Sequence, residues 1–334
     1  MASRSKQRTT EERLQEIRRS ATESSAPPGT TNPAPIKGHD SYYGLPALKP
    51  PVWTWEVPLY FFIGGIAGVS SCIAFIAHVF RADPAMIRLL LWIALSGAAI
   101  CPVLLIADLG RPRRFLNMLR VFKLQSPMSM GVWILVAFSG CAFLATMSNE
   151  VDLRGYGSSI VTALRWFGEV SGAMTGLLLA SYTGVLLGAT AIPVWFTNRR
   201  FLPAHFLTSG LGGSSAILEL SGFFISATQI LGFITAGLEI VFEALFEIRK
   251  PDVDAPLHQG RSGIAFRMAG LLEGPTALVI RIIWGSAPGG RRAAAICFLA
   301  GSLLSRYAWI WAGRVSAKQP GTQFALQRGG GAKR

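Results

Sequence analysis

The chain has 334 residues, a formal net charge of +14, 51% hydrophobic content and only 15% charged residues, with a mean hydropathy of +0.41. A soluble domain carries about 25% charged residues, so this composition argues against the soluble classes. The positive charge does not indicate a nucleic-acid partner, because most basic residues fall between apolar runs, where cytoplasmic loop bias accounts for them. Cys72, Cys101, Cys141 and Cys297 stand singly inside apolar runs without a CxxC pair. They read as small apolar fillers, and neither a zinc nor an iron–sulfur signature is present, so no metal is expected in this chain.

Residues 1–50 read as a separate basic segment. Up to Lys37 it has too little apolar content to build a core, and a largely disordered tail is expected. From His39 the run HDSYYGLPALKPP sets Tyr42, Tyr43 and three prolines before the first apolar run, as an interfacial lead-in. That apolar run starts too late and is too long for a cleavable signal peptide.

Eight spans are then expected: Trp53–Phe80, Met86–Ala107, Met128–Met147, Trp166–Thr190, Phe201–Leu220, Phe223–Phe246, Ile264–Trp284 and Ala293–Gly313. A bilayer needs roughly 20 helical residues per crossing, and the fifth and sixth are separated only by a turn near Glu219, Ser221 and Gly222. In that topology 23 of the 32 Lys and Arg fall on the amino-terminal side and seven on the other. Both termini are therefore expected in the cytoplasm of a multi-pass protein. In the fourth span Gly168, Gly172, Gly176, Ala180, Gly184 and Gly188 recur every four residues, a face suited to close approach of another helix.

An ionised group in hydrocarbon is costly and needs a reason. Glu273 is read as the deepest acid, at a depth matching Arg306 on the next span. Their pairing reads either as mutual neutralisation or as part of a proton network. Glu56, Glu169 and Glu219 fall nearer span ends and are expected to reach water; Glu169 and Glu219 with Glu273, Asp108 and Arg306 are the candidates for a proton path. Between the second and third spans lies DLGRPRRFLNMLRVFKLQSPMSMG, where Gly110-Arg111-Pro112 forces a turn and Ser126-Pro127 starts a helix. Arg111, Arg113 and Arg114 read as lipid-headgroup anchors or as a landing surface for a soluble partner. His78 and His205 are expected at opposite membrane edges, too far apart for a bis-histidine haem.

Four stretches resemble the NrfD/PsrC-like membrane subunits of bacterial respiratory oxidoreductases. They are PLYFFIGGIAG (58–68), IADLGRPRRFLNML (106–119) with SPMSMGVW (126–133), YTGVLLGATAIPVW (182–195) and LLSRYAWIWAGRVSA (303–317), and they run in the family's order. The resemblance implies an all-α membrane protein of eight transmembrane helices in two four-helix bundles, here 51–200 and 201–317, followed by a short basic tail, 318–334. It implies a haem-free subunit of the bacterial cytoplasmic membrane that exchanges electrons between menaquinone or ubiquinone and an iron–sulfur, ferredoxin-like partner. That partner would connect to a molybdenum-containing catalytic subunit or to a multihaem cytochrome, and proton movement could accompany the transfer. Trp55, Glu56, Tyr60, Asp108, Arg111 and Tyr182 are the positions implied for the quinone pocket, with Glu56 or Asp108 moving the proton. Where the polysulfide reductase type has a histidine near the start of the first span, Trp55 and Glu56 stand here. Two other classes fit the same composition: a secondary transporter, and a purely structural anchor for a soluble redox complex.

Overall fold

The computed structural model describes residues 48, 51–109, 119–120, 122–123, 125–248 and 251–318, all within the compact unit Asp40–Arg334. The expected N-terminal tail, the short C-terminal tail after Lys318, and Arg111, Arg113 and Arg114 lie outside the described residues. All described secondary structure is helical: α1 (Glu56–Val79), α2 (Pro84–Asp108), α3 (Pro127–Leu153), α4 (Ser159–Gly188), the short α5 (Pro193–Thr197), α6 (Leu202–Leu220), α7 (Ser226–Glu247), α8 (Pro251–His258), α9 (Gly260–Leu271), a π turn (Leu272–Thr276), α10 (Ala277–Trp284) and α11 (Pro288–Lys318).

Local sequence explains where the helices begin. Asp83 accepts a hydrogen bond from Ala85 N at 2.9 Å with Pro84 next to it, and Ser126 accepts from Ser129 N at 3.5 Å with Pro127 next to it. Ser158 caps α4 through Val161 N at 3.2 Å. These side chains satisfy amide donors that the first helical turn leaves free, while proline at the first position has no amide to leave unpaired. The α6–α7 turn pivots on Gly222 at φ +96°, a conformation open to glycine.

Among the described residues, seven helices are long and apolar enough to cross a membrane: α1, α2, α3, α4, α7, the continuous run α9–π–α10, and α11. Their outer faces carry exposed Ile160, Phe167, Met174, Ile282 and Ile283, as lipid contact requires. The protein is therefore a multi-pass membrane protein. The expected fifth span, α6, is not among the seven. It has 19 residues, and its His205, Thr208, Ser209, Ser214, Ser215 and Glu219 are all buried against protein. It nevertheless runs beside α1 for its whole length. The Phe61 and Phe206 rings are 6.1 Å apart, Ser70 and Ser214 hydroxyls bond at 3.1 Å, and Leu218 joins Ala74 and Ala77 in one apolar cluster.

Around α1 pack α2, α4, α6 and α11, while α11 also packs on α9, α10 and α6. The four-residue glycine pattern of α4 acts as a crossing surface: a Cβ on Gly176 would strike the carbonyl of Gly68, and the reverse holds for Gly68. Such contact lets dispersion hold two helices where lipid supplies no hydrophobic drive. Near Glu273 and Pro275 the α9–α10 run widens into the π turn, because a proline cannot donate the helical hydrogen bond there.

Candidate functional site

Four helix ends converge on a cavity of about 140 Å³. The N-terminal end of α1 supplies Val57, Tyr60 and Phe61, with Trp53 just before it. The C-terminal end of α2 supplies Leu105 and Asp108, with Leu109 following; α3 begins with Met128, Gly131 and Val132; α4 adds Tyr182 and Leu186. The walls are almost wholly apolar. An engineered apolar cavity of about 150 Å³ holds a benzene molecule, so this one matches a single planar ring. Trp53 is held as a wall by stacking on the buried Trp195, ring centroids 5.4 Å apart and planes 15° apart.

Asp108 is the carboxylate on this cavity. Its Oδ1 accepts from Thr54 N at 3.2 Å and Thr54 Oγ1 at 3.3 Å. The Thr54 hydroxyl also bonds Glu56, so Asp108, Thr54 and Glu56 form one connected polar series leading away from the cavity. Tyr182 donates its hydroxyl to the Pro127 carbonyl, and its ring lies over Gly131, where any Cβ would collide with it. The residue at 131 therefore decides whether the Tyr182 ring can stand where it does.

Of the expected pocket residues, Tyr60, Asp108 and Tyr182 line one cavity although they are far apart in sequence. Glu56 is buried one hydrogen-bonded residue behind it. Trp55 is 57% exposed and outside the lining; its carbonyl accepts from Tyr307 Oη at 3.0 Å. Sequence reasoning overlooked Trp53, Thr54, Phe61 and Gly131. The aromatic cluster WTW and the glycine of SPMSMG were the available signals.

The acids expected to reach water do not. Glu169 and Glu219 are fully buried and Glu56 is 5% exposed, and each has protein partners in place of solvent. Glu169 bonds His78 Nδ1, while Arg165 bonds His78 Nε2 at 2.7 Å and Asp152 at 2.5 Å. Glu219, in the last turn of α6, takes a two-pronged bond from Arg281 at 2.9 and 2.7 Å and a third from Arg291 at 3.0 Å. Glu273 accepts from Ser209 Oγ at 2.9 Å. Arg306 lies with its guanidinium over the Phe206 ring, 3.7 Å from its centroid, and donates to the Phe206 carbonyl at 3.1 Å. Glu273 and Arg306 thus share a neighbourhood, but the hydrogen bonds of each go elsewhere. The four expected proton-path acids occupy separate clusters and form no continuous line among the described residues. His205, expected at a membrane edge, is buried against Glu239, a residue sequence reasoning passed over.

The profile of the polysulphide reductase NrfD family matches residues 46–247, which contain the whole cavity. Two relatives are similar to this protein. Protein NrfD of Escherichia coli (strain K12) is 27% identical over 186 residues, and the C chain of polysulfide reductase from Wolinella succinogenes is 27% identical over 195 residues. Each match covers 50% of the present sequence and 58% of the relative. The protein therefore spans little more than half the length of the relatives it matches.

Proposed function

This protein belongs to the polysulphide reductase NrfD family, and on that premise we propose that it is the quinone-reactive membrane subunit of a bacterial respiratory complex. The observation that carries the reading is the ring-sized cavity where the ends of α1, α2, α3 and α4 bring Tyr60, Asp108 and Tyr182 together. A quinol headgroup fits apolar walls with few polar groups to fix its oxygens. Oxidation of a quinol releases two electrons and two protons. Asp108, oriented by the Thr54 amide and hydroxyl, accepts the two ring-hydroxyl protons in turn, the first passing on through Thr54 to Glu56 before the second is taken. Electrons leave for an iron–sulfur subunit, linked onward to a molybdenum-containing subunit or a multihaem cytochrome; the reverse direction uses the same groups.

In this reading α6 completes eight spans, since it runs beside α1 through the same depth. The helices then form two bundles, α1–α4 and α6, α7, α9–α10 and α11. An even number of spans places both termini on one side, the cytoplasmic one by the Lys and Arg bias. The exposed Arg120 and Lys123, in the same α2–α3 connection whose sequence carries Arg111, Arg113 and Arg114, supply basic charge for the partner and for lipid headgroups.

Co-purification in mild detergent, followed by addition of a quinol analogue, tests the proposal. Expected are stoichiometric iron–sulfur partner and rapid cluster reduction that a quinone-site inhibitor blocks. A redox partner present without quinol-dependent cluster reduction would reduce the protein to a structural anchor.

A further inference from the structure

Away from the quinone cavity, three side chains from separate elements meet inside the protein: His205 of α6, Glu239 of α7 and Glu273 of the π turn. All three are buried, and their ligand-type atoms lie within 4.8 Å of one another. His205 Nδ1 is 2.8 Å from Glu239 Oε2, and its Nε2 is 3.2 Å from Ser305 Oγ. Ser209 bonds Glu273 at 2.9 Å and Ser302 at 2.5 Å. Three groups are left wanting: Glu239 Oε1 has no hydrogen-bond partner, neither do Nε and Nη1 of the buried Arg306, and His205 Nδ1 approaches Glu239 without hydrogen-bond geometry. Arg306 is close enough to both carboxylates to act on them electrostatically. Two carboxylates against one guanidinium, with a neutral imidazole, leave one negative charge in excess. Such an excess is strongly disfavoured away from water, and a single proton removes it.

A proton also has a way in. Glu239, Glu243 and Glu247 follow one another at four-residue spacing on α7, so they share a face. Exposure rises along the series, from Glu239 at 3% through half-buried Glu243 to the Glu247 side chain at 63%. Glu243 lies against α9, where a Cβ on Gly270 would meet its carboxylate, and Gly270 lies one turn before Glu273. Glu243 is within electrostatic reach of both Glu239 and Glu247. At the outer end His258 stands 3.8 Å from Glu247, and Arg267 of α9 donates to the His258 carbonyl at 3.3 Å. Successive acids rise about 6 Å along the axis, a gap that one bridging water spans. On the opposite membrane face, Glu219 is clamped by Arg281 and Arg291, which leaves it no free oxygen for relay.

We propose that Glu247, Glu243 and Glu239 form a proton-uptake path from the membrane face where α7 ends to a loading site made by Glu239, Glu273 and His205. The step adds one proton from water to a carboxylate oxygen; no electron moves and no bond to carbon changes. Arg306 is a positioning residue that sets the charge balance at one proton. The path goes beyond the quinone reading, and only its coupling to electron transfer rests on that reading.

Infrared spectroscopy of the full-length protein in lipid nanodiscs, exchanged from H₂O into D₂O, tests it. A carboxylic-acid band is expected that Glu239→Gln removes. Glu243→Gln should keep the band and slow its exchange by at least an order of magnitude. Exchange at the unmodified rate in Glu243→Gln would overturn the path, and this variant carries the test alone if Glu239→Gln does not fold. A stoichiometric transition-metal ion in the purified protein, lost in Glu239→Gln, would overturn the proton assignment in favour of a metal centre. In proteoliposomes of the whole complex, Glu243→Gln should lower the protons moved per electron. Loss of quinol-linked electron transfer in the unmodified complex would strike the quinone reading and leave the infrared result standing.

Discussion

Gly131→Ala is the smallest change that should close the cavity between α1, α2, α3 and α4, where a quinone is proposed to bind. The added Cβ would fall within the Tyr182 ring and against its hydroxyl, so the ring has to move. It is bounded by the cavity on one side and tied to the Pro127 carbonyl through its hydroxyl. Moving it breaks that hydrogen bond, worth about 0.5–1.5 kcal/mol net, and pushes the ring into the space a ligand would use. Overpacking of this kind costs about 1–3 kcal/mol. If ligand binding has to reverse the shift, affinity falls by roughly 5- to 150-fold, since about 1.4 kcal/mol is a factor of ten. The assay is equilibrium titration of a fluorescent quinol analogue against the purified protein, with thermal stability followed in parallel. The double variant Gly131→Ala/Tyr182→Ala removes the colliding ring, so its affinity should exceed the value expected from adding the two single losses. Unchanged affinity in Gly131→Ala, or strict additivity in the double variant, would refute the placement of the ligand beside Tyr182.

Asp108→Asn keeps an oxygen for the Thr54 amide and hydroxyl but loses the base, so quinol-linked turnover should fall about 10²–10⁴-fold. Turnover is compared at equal amounts of assembled complex. Arg281→Met takes the two-pronged partner from Glu219 and leaves a buried carboxylate held by Arg291 alone. Removing one member of a buried pair costs about 3–5 kcal/mol; a lower midpoint of thermal unfolding in detergent, partly restored by adding Glu219→Gln, is the expected result. Replacing Arg111, Arg113 and Arg114 together with alanine should weaken capture of the iron–sulfur partner. The difference from the unmodified protein should shrink as salt shortens the electrostatic range from about 10 Å at 0.1 M ionic strength to about 3 Å at 1 M.

Features that depend on neighbouring residues were legible in the sequence. Ser126-Pro127 marks a helix start by chemistry visible in two residues, and the glycine spacing of α4 foretold a crossing surface, which Gly176 makes with Gly68. Of the six positions expected at the pocket, Tyr60, Asp108 and Tyr182 line one cavity, Trp55 and Glu56 stand outside its lining, and Arg111 lies outside the described residues. What stayed hidden depends on partners distant in the sequence. Glu219 lies next to a turn and reads as water-facing, yet Arg281 and Arg291, more than sixty residues on, draw it inside. His205 lies near a helix start, and only the packing of α6 against α7 shows that Glu239 meets it. The repeat of Glu239, Glu243 and Glu247 was a readable sign, since three acids on one face of an apolar helix need an explanation. The length of α6 pointed to a span, while its many small polar residues pointed the other way. Each of those residues faces protein, and hydropathy does not distinguish protein from lipid as a neighbour.

The most direct measurement is photolabelling of the assembled complex in native membranes with a light-activated quinone, followed by mapping of the modified peptides. The account predicts label on the segments around 53–61, 105–109, 128–132 and 182–186, displaced by excess unlabelled quinol. Label confined to the α7, α9 and α10 side of the protein, or label that excess quinol does not displace, would contradict it.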